Sequence, residues 1–341
     1  SDLALDKSLD YMKERKAFGK RIADFQALQF RLADMATELE AARTFLWRAA
    51  SALDAKTPDA TQLCAMAKRF GTDAGFDIAN EAQVNCMVKG FSPDALVHLA
   101  AVSAISTAVA DRRRTWEINA FSPYYLAMAI MDFVPECHFL FISSAEVYGK
   151  SAEFGTLLTE RHLLQPSNPY ASAKAAADLL LQEAAGSGLC ATIMRPFNHI
   201  GPGQSLAFAI PSFCHQIVQI ERGAKPIIRV GALDDVRDFL HVSDVVDAYV
   251  AALEWRNKCE HGAVLNVSSG QGTRMDQILA HLVESCETSI SIEIDQSKLR
   301  GRPPSSVVGD ATQIRDLLNW TPRHSLKTTL DETLQFWRQQ A

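Results

Sequence analysis

The chain contains the stretch His138-Phe139-Leu140-Phe141-Ile142-Ser143-Ser144, in which four apolar residues lead into two serines. A short, continuously apolar run of this kind is typical of a strand that is buried on both faces of a parallel sheet. Two other runs are also short and mostly apolar, Ala95-Leu96-Val97-His98-Leu99 and Cys190-Ala191-Thr192-Ile193-Met194-Arg195. Helical stretches lie between these runs, at about residues 115–131 and 169–185, so the sequence predicts βαβ units and an α/β fold with a parallel sheet.

The second of these helices begins with Asn168-Pro169-Tyr170-Ala171-Ser172-Ala173-Lys174. Asn168 or Ser167 suits the N-cap position, and proline suits the first helical position that follows. Tyr170 and Lys174 are four residues apart, so we expect both side chains on one helix face. In sheets of this kind the ligand lies at the carboxyl ends of the strands, where Ser144 and this helix start are expected to meet.

These side chains suit proton transfer at a carbonyl or carbinol oxygen. A free tyrosine has a pKa of about 10, and a nearby ammonium group is expected to lower that value for Tyr170. Tyr170 is then able to exchange a proton with the oxygen during hydride transfer, while the Ser144 hydroxyl holds the same oxygen. The Tyr-x-x-x-Lys spacing is common by itself, and its place after a buried strand that ends in two serines makes it informative.

Composition and charge exclude several other classes of protein. The 341 residues are 48% hydrophobic with a net charge of −6, which is ordinary for a globular chain and gives no basic surface for nucleic acid. No run of about 18 apolar residues is present, so no membrane association is expected. The seven cysteines form no Cys-x-x-Cys and the nine histidines form no His-Glu-x-x-His, so we expect reduced thiols and no metal site. The first residues resemble no secretory signal, which predicts a cytoplasmic protein.

Several ordered motifs place residues 84–341 beside a known superfamily. The segment resembles the extended short-chain dehydrogenases/reductases, and its 195–204 run is most similar to the GDP-6-deoxy-mannose reductase branch, next to the GDP-mannose 4,6-dehydratases. The motifs that carry the resemblance are Val97-His98-Leu99-Ala100-Ala101, Glu117-Ile118-Asn119, Ser143-Ser144-Ala145-Glu146-Val147-Tyr148-Gly149, Asn168-Pro169-Tyr170 with Lys174, Arg195-Pro196-Phe197-Asn198-His199-Ile200-Gly201-Pro202-Gly203-Gln204 and Arg237-Asp238-Phe239-Leu240-His241-Val242-Ser243-Asp244-Val245.

The resemblance implies an NAD(P)-dependent enzyme that reduces a 4-keto nucleotide sugar of the GDP-4-keto-6-deoxy-mannose type. It implies a catalytic set of Ser144, Tyr170 and Lys174, and a homodimer as the assembly. The residues implied to line the cofactor, NADP or NAD, are Leu99, Ala100, Ser143, Tyr170, Lys174 and Phe197. The residues implied to face the diphosphate of the sugar nucleotide are Asn198, Arg237 and Arg302, and arginine suits this because it binds phosphate with two parallel hydrogen bonds.

Two of these positions have alternative interpretations. Glu146 occupies the place where the dehydratases keep a catalytic acid/base, and it is equally well interpreted as an exposed loop carboxylate. Arg237 is implied to bind phosphate, and the alternative is a structural ion pair with a nearby acid such as Asp234 or Asp238.

The first 83 residues have a different pattern. Apolar residues recur at helical spacing between Phe25 and Leu46, and a second helix is predicted from Thr57-Pro58 to about Asn80, which together predict an α-helical hairpin. The segment Tyr11-Met12-Lys13-Glu14-Arg15-Lys16-Ala17-Phe18-Gly19-Lys20, followed by Ile22-Ala23-Asp24-Phe25-Gln26, resembles the C-terminal helical domain of acyl-CoA dehydrogenases. In that family the residues matching Arg15, Phe18 and Gln26 help to hold FAD, but FAD is not expected here because the resemblance ends near Gln83.

The reductase-like segment lacks one feature of its family. Such enzymes begin with a strand and a Gly-x-x-Gly-x-x-Gly turn that places the cofactor pyrophosphate at a helix N-terminus. No such pattern precedes Ala95, and residues 1–83 hold only 3 of the 17 glycines. We therefore predict an incomplete Rossmann-like sheet with a small substrate domain, a domain boundary near residue 83, and an open sheet edge at Ala95–Leu99.

Four functional hypotheses follow from these patterns. The first is the nucleotide-sugar reductase, with its activity uncertain because the glycine turn is absent from residues 1–94. The second is a catalytically inactive remnant, chimeric or truncated, and the third is a nucleotide-sugar 4,6-dehydratase or epimerase. The fourth, which only the first 83 residues support, is a flavin protein related to acyl-CoA dehydrogenases.

Overall fold

The computed structural model describes residues 81–154, 156–255, 262–286, 288–296 and 305–340, with positions 16, 17, 20, 21, 48, 51 and 55. The chain divides into two compact units, one formed by Ser1–Pro93 with Tyr125–Pro135 and the other by Asp94–Tyr124 with Glu136–Ala341. The helical hairpin predicted over residues 24–46 and 57–80 lies outside the described residues. Across the described ranges, no helix combines the length and the apolar character that crossing a membrane requires.

Helices and strands alternate through most of the described chain. The strands are β1 (Lys16–Ala17), β2 (Lys20–Arg21), β3 (Ala95–His98), β4 (His138–Ile142), β5 (Ala191–Pro196), β6 (Asn198–Ile200), β7 (Ile227–Val230), β8 (Val236–His241), β9 (Ala263–Val267), β10 (Gly272–Arg274), β11 (Ser291–Ile294) and β12 (Ser306–Val307). The α-helices are α1 (Glu81–Phe91), α2 (Ile105–Ala110), α3 (Arg112–Trp116), α4 (Ser122–Phe133), α5 (Pro169–Gly186), α6 (Ala209–Glu221), α7 (Val242–Trp255), α8 (Met275–Glu284), α9 (Thr312–Leu318) and α10 (Leu326–Gln340).

The main sheet is parallel and has the strand order β3-β4-β5-β9. In its register Val97 lies opposite Leu140, Ile142 opposite Met194, and Met194 opposite Leu265. The three predicted strands and the α/β fold are therefore confirmed, with bounds that differ from the prediction by a residue or so. The fourth strand, β9, was not predicted.

The burial of each strand agrees with its position in the sheet. Every residue of β4 and β5 is buried, as expected for strands that have neighbours on both sides and covered faces. By contrast β3 is a terminal strand of the described sheet, and its Val97 side chain is 38% exposed. Among the described strands β3 therefore has a neighbour on one side only, and the open edge at Ala95–Leu99 stays a prediction.

The helix predicted over residues 115–131 is a composite of three segments. A π-helix, Glu117–Phe121, joins α3 to α4. The wider turn places Asn119 inside the protein, where it is fully buried. Such a π-helical turn is frequent at functional sites, and the apolar spacing alone does not reveal it.

The helix predicted from Pro169 is confirmed as α5. Asn168 has extended backbone angles, and its side-chain oxygen accepts a hydrogen bond from the Ala171 N–H at 2.9 Å. Pro169 follows at the first helical position, where its missing N–H costs no hydrogen bond. The cap therefore fixes where Tyr170 begins the helix.

A second, smaller layer is built around β8. This strand lies between β10 and β12 and also pairs with β6, while β7 and β11 form a separate parallel pair. Helices α6, α8 and α10 enclose an apolar core that includes Phe213, Ile217, Leu279 and Leu334. This layer belongs to the same compact unit as the parallel sheet, and the small substrate domain stays a prediction.

Candidate active site

Ser144 follows the carboxyl end of β4 and is almost completely buried, with 9% of its surface exposed. Its hydroxyl oxygen accepts a hydrogen bond from the Glu146 N–H at 3.2 Å. That bond helps to begin the 3-10 segment Ala145–Phe154, which carries the chain away from the strand. The hydroxyl is therefore held in a defined position at the edge where the strands end.

Tyr170 lies in the first turn of α5 and is half-buried. Burial raises the pKa of Tyr170 to about 12, although a hydrogen bond with the Ser144 side chain acts in the opposite direction. The nearby negative charge of Glu146 adds to the increase. The predicted lowering of the Tyr170 pKa by a lysine is wrong, because loss of hydration disfavours the phenolate more than its neighbours stabilise it. The phenol is accordingly protonated at neutral pH.

Lys174 lies one turn further along α5 and is buried, with 2% of its surface exposed. Its Nζ donates to the Ile142 carbonyl at 2.7 Å and lies 4.8 Å from the centre of the Phe141 ring. Burial lowers the pKa of Lys174 to about 7, and the charge of Asp178 acts against that change. The structure thus holds an amine that titrates near neutrality beside the end of β4.

Glu146 is half-buried and lies close enough to Tyr170 for its charge to act on the phenol. Asn168 donates from Nδ2 to the Glu146 carboxylate at 3.2 Å while its oxygen caps α5. The structure therefore places Glu146 beside the Ser144 and Tyr170 pair rather than on a distant loop. Its chemical role stays a prediction.

The residues predicted to line the cofactor are not equivalent in the structure. Leu99 follows β3 and is 64% exposed, and Ala100 beside it is half-buried. Phe197 is buried against the ring of Tyr148 at a centroid distance of 6.3 Å. Ser143 is also buried, and its hydroxyl donates to Asp178 at 2.6 Å. Leu99 and Ala100 are thus accessible, whereas the hydroxyl of Ser143 is already committed to a protein partner.

The residues predicted to face the substrate are also dispersed. Asn198 is exposed at the start of β6, and Arg302 lies outside the described residues. Arg237 donates from Nη2 to the Asp235 carboxylate at 2.9 Å and from Nη1 to the Ser305 carbonyl at 2.9 Å. Arg237 thus forms an ion pair with Asp235, which is neither of the acids named for the alternative, and its contact with phosphate stays a prediction.

Asp238 has a separate task that explains why it does not pair with Arg237. It is fully buried, and its carboxylate accepts from the Ser269 and Gly270 N–H groups at 2.9 and 3.0 Å. A third N–H, from Gly309, lies at 3.3 Å. Asp238 therefore ties together the loops that follow β9 and β12.

Three features of the site were not predicted as such. Asn119 accepts from the Val102 N–H at 2.9 Å and donates to the Val102 carbonyl at 3.1 Å, so it clamps the segment that follows β3. Its presence in the Glu117-Ile118-Asn119 motif was the available signal.

His98, at the end of β3, is buried and lies 3.3 Å from the Ser122 hydroxyl.

The third such feature is a buried polar network behind Lys174. Asp178 accepts two hydrogen bonds from Arg195, at 2.9 and 2.7 Å. Arg195 also donates to the Tyr148 hydroxyl at 3.1 Å, and Tyr148 donates to Asn266 at 2.6 Å. The network therefore connects α5, β5, the 3-10 segment and β9 beneath the carboxyl ends of the strands. Within the described ranges, no three His, Cys, Asp or Glu side chains converge as a metal site.

Comparison with family models gives two matches. The model described as GDP-mannose 4,6 dehydratase matches residues 56–333. The model described as acyl-CoA dehydrogenase, C-terminal domain, matches residues 2–107. Both predicted resemblances are therefore confirmed, and the two matched ranges overlap between residues 56 and 107.

Individual proteins agree with the larger match. GDP-6-deoxy-D-mannose reductase of Pseudomonas aeruginosa is 36% identical over 247 residues, which cover 72% of this chain and 80% of that protein. The structure of RMD from Pseudomonas aeruginosa, solved as a complex with NADPH, has a TM-score of 0.70 and 32% identity, and the match covers 77% of this chain and 87% of that one.

The N-terminal segment has a relative of another kind. The CarC subunit of the caffeyl-CoA reductase-Etf complex of Acetobacterium woodii is 51% identical over 79 residues, which are 23% of this chain and 21% of that protein. This similarity is confined to a short part of either protein. The family match that covers most of the chain, together with the reductase relative, shows that this chain belongs to the GDP-mannose 4,6 dehydratase family of nucleotide-sugar enzymes.

Proposed function

We propose that this protein reduces the carbonyl of a 4-keto nucleotide sugar of the GDP-4-keto-6-deoxy-mannose type, with NADPH or NADH as the reductant. One observation carries the proposal. The hydrogen-bonded Ser144 and Tyr170 side chains, with Lys174 one helical turn away, lie at the carboxyl ends of a parallel sheet. The 36% identity to a GDP-6-deoxy-D-mannose reductase supports this substrate class.

The nicotinamide half of such a cofactor fits the described residues. Leu99 offers exposed apolar surface at the end of β3, and Ala100 is small enough for a close approach. Lys174 uses one N–H on the Ile142 carbonyl, and an ammonium group has three N–H donors, so it is able to bind ribose hydroxyls as well. When bound, the cofactor supplies the hydride. Residues 1–94 contain no glycine-rich turn for its pyrophosphate, so we make no assignment for that half.

The proton chemistry belongs to the side chains of this chain. Tyr170 is protonated at neutral pH and donates its phenolic proton to the carbonyl oxygen of the sugar, which becomes the hydroxyl oxygen. Ser144 donates a hydrogen bond to the same oxygen as negative charge develops there. Lys174 in its ammonium form stabilises the tyrosinate left behind, and a proton from solvent restores the phenol. Asn198, Arg237 and Arg302 are proposed to bind the diphosphate of the sugar nucleotide.

A direct assay tests this proposal. The purified chain is mixed with GDP-4-keto-6-deoxy-mannose and either NADPH or NADH, and cofactor oxidation is followed by absorbance. We expect oxidation that depends on the sugar, and a product with a new C4 hydroxyl by NMR. Absence of turnover would contradict the proposal, and a nicotinamide fluorescence titration would then separate an inactive remnant from a substrate mismatch. The remnant hypothesis expects no cofactor binding, whereas a mismatch leaves binding intact.

A second candidate is sugar 4,6-dehydration, and the position of Glu146 favours it. The carboxylate lies beside Tyr170 and is oriented by Asn168, where it is able to move a proton at a carbon next to the reacting carbonyl. Incubation with GDP-mannose and oxidised cofactor tests this candidate. Formation of a 4-keto-6-deoxy sugar would favour dehydration, and unchanged GDP-mannose would exclude it.

A further inference from the structure

A buried carboxylate lies directly behind the proposed catalytic side chains. Asp178 is in α5, one helical turn after Lys174, and it is fully buried. Its two oxygens accept hydrogen bonds from three side chains. The donors are the Ser143 hydroxyl at 2.6 Å, Arg195 at 2.9 and 2.7 Å, and the Gln182 amide at 2.7 Å.

These donors come from different parts of the fold. Ser143 follows β4 and immediately precedes Ser144, whereas Arg195 belongs to β5. Asp178 shares its helix with Lys174, four residues before it, so the two side chains lie on one face. A single carboxylate therefore joins the carboxyl ends of β4 and β5 to the face of α5 that carries the lysine.

We propose that Asp178 is a positioning residue for the proposed catalytic set, because it fixes the Ser143-Ser144 end of β4 against α5 and supplies a negative charge that keeps Lys174 in the ammonium form. The inference rests on the proposed function for the identity of the catalytic set. It adds a residue that does not touch the reacting atoms and acts through Ser144 and Lys174.

The charges around Lys174 support the electrostatic half of this inference. Burial lowers the pKa of Lys174 to about 7, and among the surrounding charges Asp178 favours the ammonium form. Replacing the carboxylate with an amide removes this anion and leaves the buried guanidinium of Arg195 without its partner. Both changes make Lys174 lose its proton more easily. The titratable or charged groups around this region include His98 from β3, Tyr170 and Asp178 from α5, Glu146 and Tyr148 from the 3-10 segment, Arg195 from β5 and Tyr249 from α7. The neighbouring α3 and π-helix carry the Arg113–Glu117 pair, in which Arg113 is exposed and Glu117 is half-buried.

The first test measures the titration of Lys174 itself. The full chain is labelled with 13C at the lysine ε-carbon, and the Lys174 signal is assigned with Lys174→Met. In Asp178→Asn we expect the midpoint to move at least about one pH unit below that of the unsubstituted chain. An unchanged midpoint would overturn the inference. This readout needs no substrate, so a shifted midpoint in a chain without reductase activity would support the inference and contradict only the proposed function.

The second test uses milder substitutions and remains informative when Asp178→Asn does not fold. Ser143→Ala and Gln182→Ala each remove one hydrogen bond of similar length to the same carboxylate, but only Ser143 adjoins Ser144. We expect Ser143→Ala to lower kcat by about tenfold with little change in KM, because a misplaced donor acts mainly in the transition state. We expect Gln182→Ala to keep the unsubstituted kcat. Equal effects of the two substitutions, or no effect of Ser143→Ala, would overturn the inference.

Discussion

At the scale of single residues, burial controls the chemistry of the site. Tyr170 and Lys174 carry opposite pKa shifts for one reason, because loss of hydration disfavours the phenolate in one and the ammonium in the other. The phenol therefore holds its proton until it is needed, and the lysine is poised near neutral pH. The result favours reduction of a carbonyl, for which Tyr170 has to donate.

Removal of the Tyr170 hydroxyl is the sharpest test at this scale. We expect Tyr170→Phe to lower kcat by about 10²–10⁴-fold, because it removes the proposed general acid while it preserves the ring. Steady-state kinetics with the keto sugar measure the effect. Tyr124→Phe is the matched control, because Tyr124 is 37% exposed on α4, and it should leave kcat unchanged. A Tyr170→Phe variant as active as the unsubstituted chain would contradict the assignment.

His98 makes a prediction about acid stability. Burial and the nearby Lys174 charge lower the pKa of His98 to about 3 from its usual 6.5. Below pH 6.5 the unfolded chain binds a proton that the folded chain does not, so the free energy of unfolding falls as the pH falls. Between pH 7 and 5 we expect the unsubstituted chain to lose about 2 kcal/mol more than His98→Asn.

Urea unfolding at the two pH values measures this difference. The comparison with His98→Asn removes the contributions of the other titrating groups, since both proteins share them. Parallel losses in the two proteins would show that His98 is protonated in the folded state.

At the scale of elements, helix starts and strand ends place the functional groups. The Asn168 cap sets the start of α5 and thereby the position of Tyr170, and the π-helix turns Asn119 inward to clamp the segment after β3. In each case a single asparagine side chain forms hydrogen bonds with backbone groups: Asn168 with the start of α5, and Asn119 with the segment after β3. The local geometry of the site therefore depends on these two asparagines.

The two roles of Asn168 are separable. Asn168→Ala removes the cap and the contact with Glu146, and we expect the free energy of unfolding to fall by about 1 kcal/mol. Asn168→Ser keeps a capping oxygen but not the amide that reaches Glu146, so its stability should be close to that of the unsubstituted chain. Urea unfolding of the unsubstituted chain and of the two variants measures the change in the free energy of unfolding for each substitution. Equal destabilisation by alanine and serine would exclude the capping role.

At the scale of the whole molecule, the main sheet ends at β3 within the described residues. β3 is a terminal strand of the described sheet, and alternate backbone groups of a terminal strand point away from its neighbour.

The chain also matches two different family models, and we propose that the two segments meet near residue 83. Limited proteolysis with mass spectrometry should then give a stable large fragment that begins on the N-terminal side of β3. A stable fragment that begins within the main sheet would contradict this boundary.

Hydrogen exchange tests the open edge. We expect the Val97 and Leu99 amides to exchange faster than those of Phe139 and Ser143, whose N–H groups donate to the Cys190 and Met194 carbonyls at 2.7 Å. Native-state exchange followed by NMR resolves these positions. Equal protection of both pairs would show that another strand covers β3.

Sequence patterns predicted much of this architecture because buried parallel strands and helix caps leave local signals. The apolar run at 138–142 and the Asn168-Pro169 pair each identified an element within a residue or so. The strand β9 was missed because Asn266 interrupts the apolar run of Ala263–Val267 and the burial of the strand comes from its place beside β5. The partner of Arg237 was also mispredicted, because Asp234, Asp235 and Asp238 are all near it in sequence and only the folded chain shows that Asp235 contacts its guanidinium.

The sequence by itself determined the family, the parallel sheet and the residue types available for proton transfer, because motif order and apolar periodicity are properties of the chain. Only the tertiary structure decided how those residues behave. Burial reversed the predicted pKa shift of Tyr170, and the Asp178–Arg195 pair occupied the Ser143 hydroxyl. Such effects depend on hydration and on charges brought together from distant parts of the chain, and spacing in the sequence does not encode either of them locally.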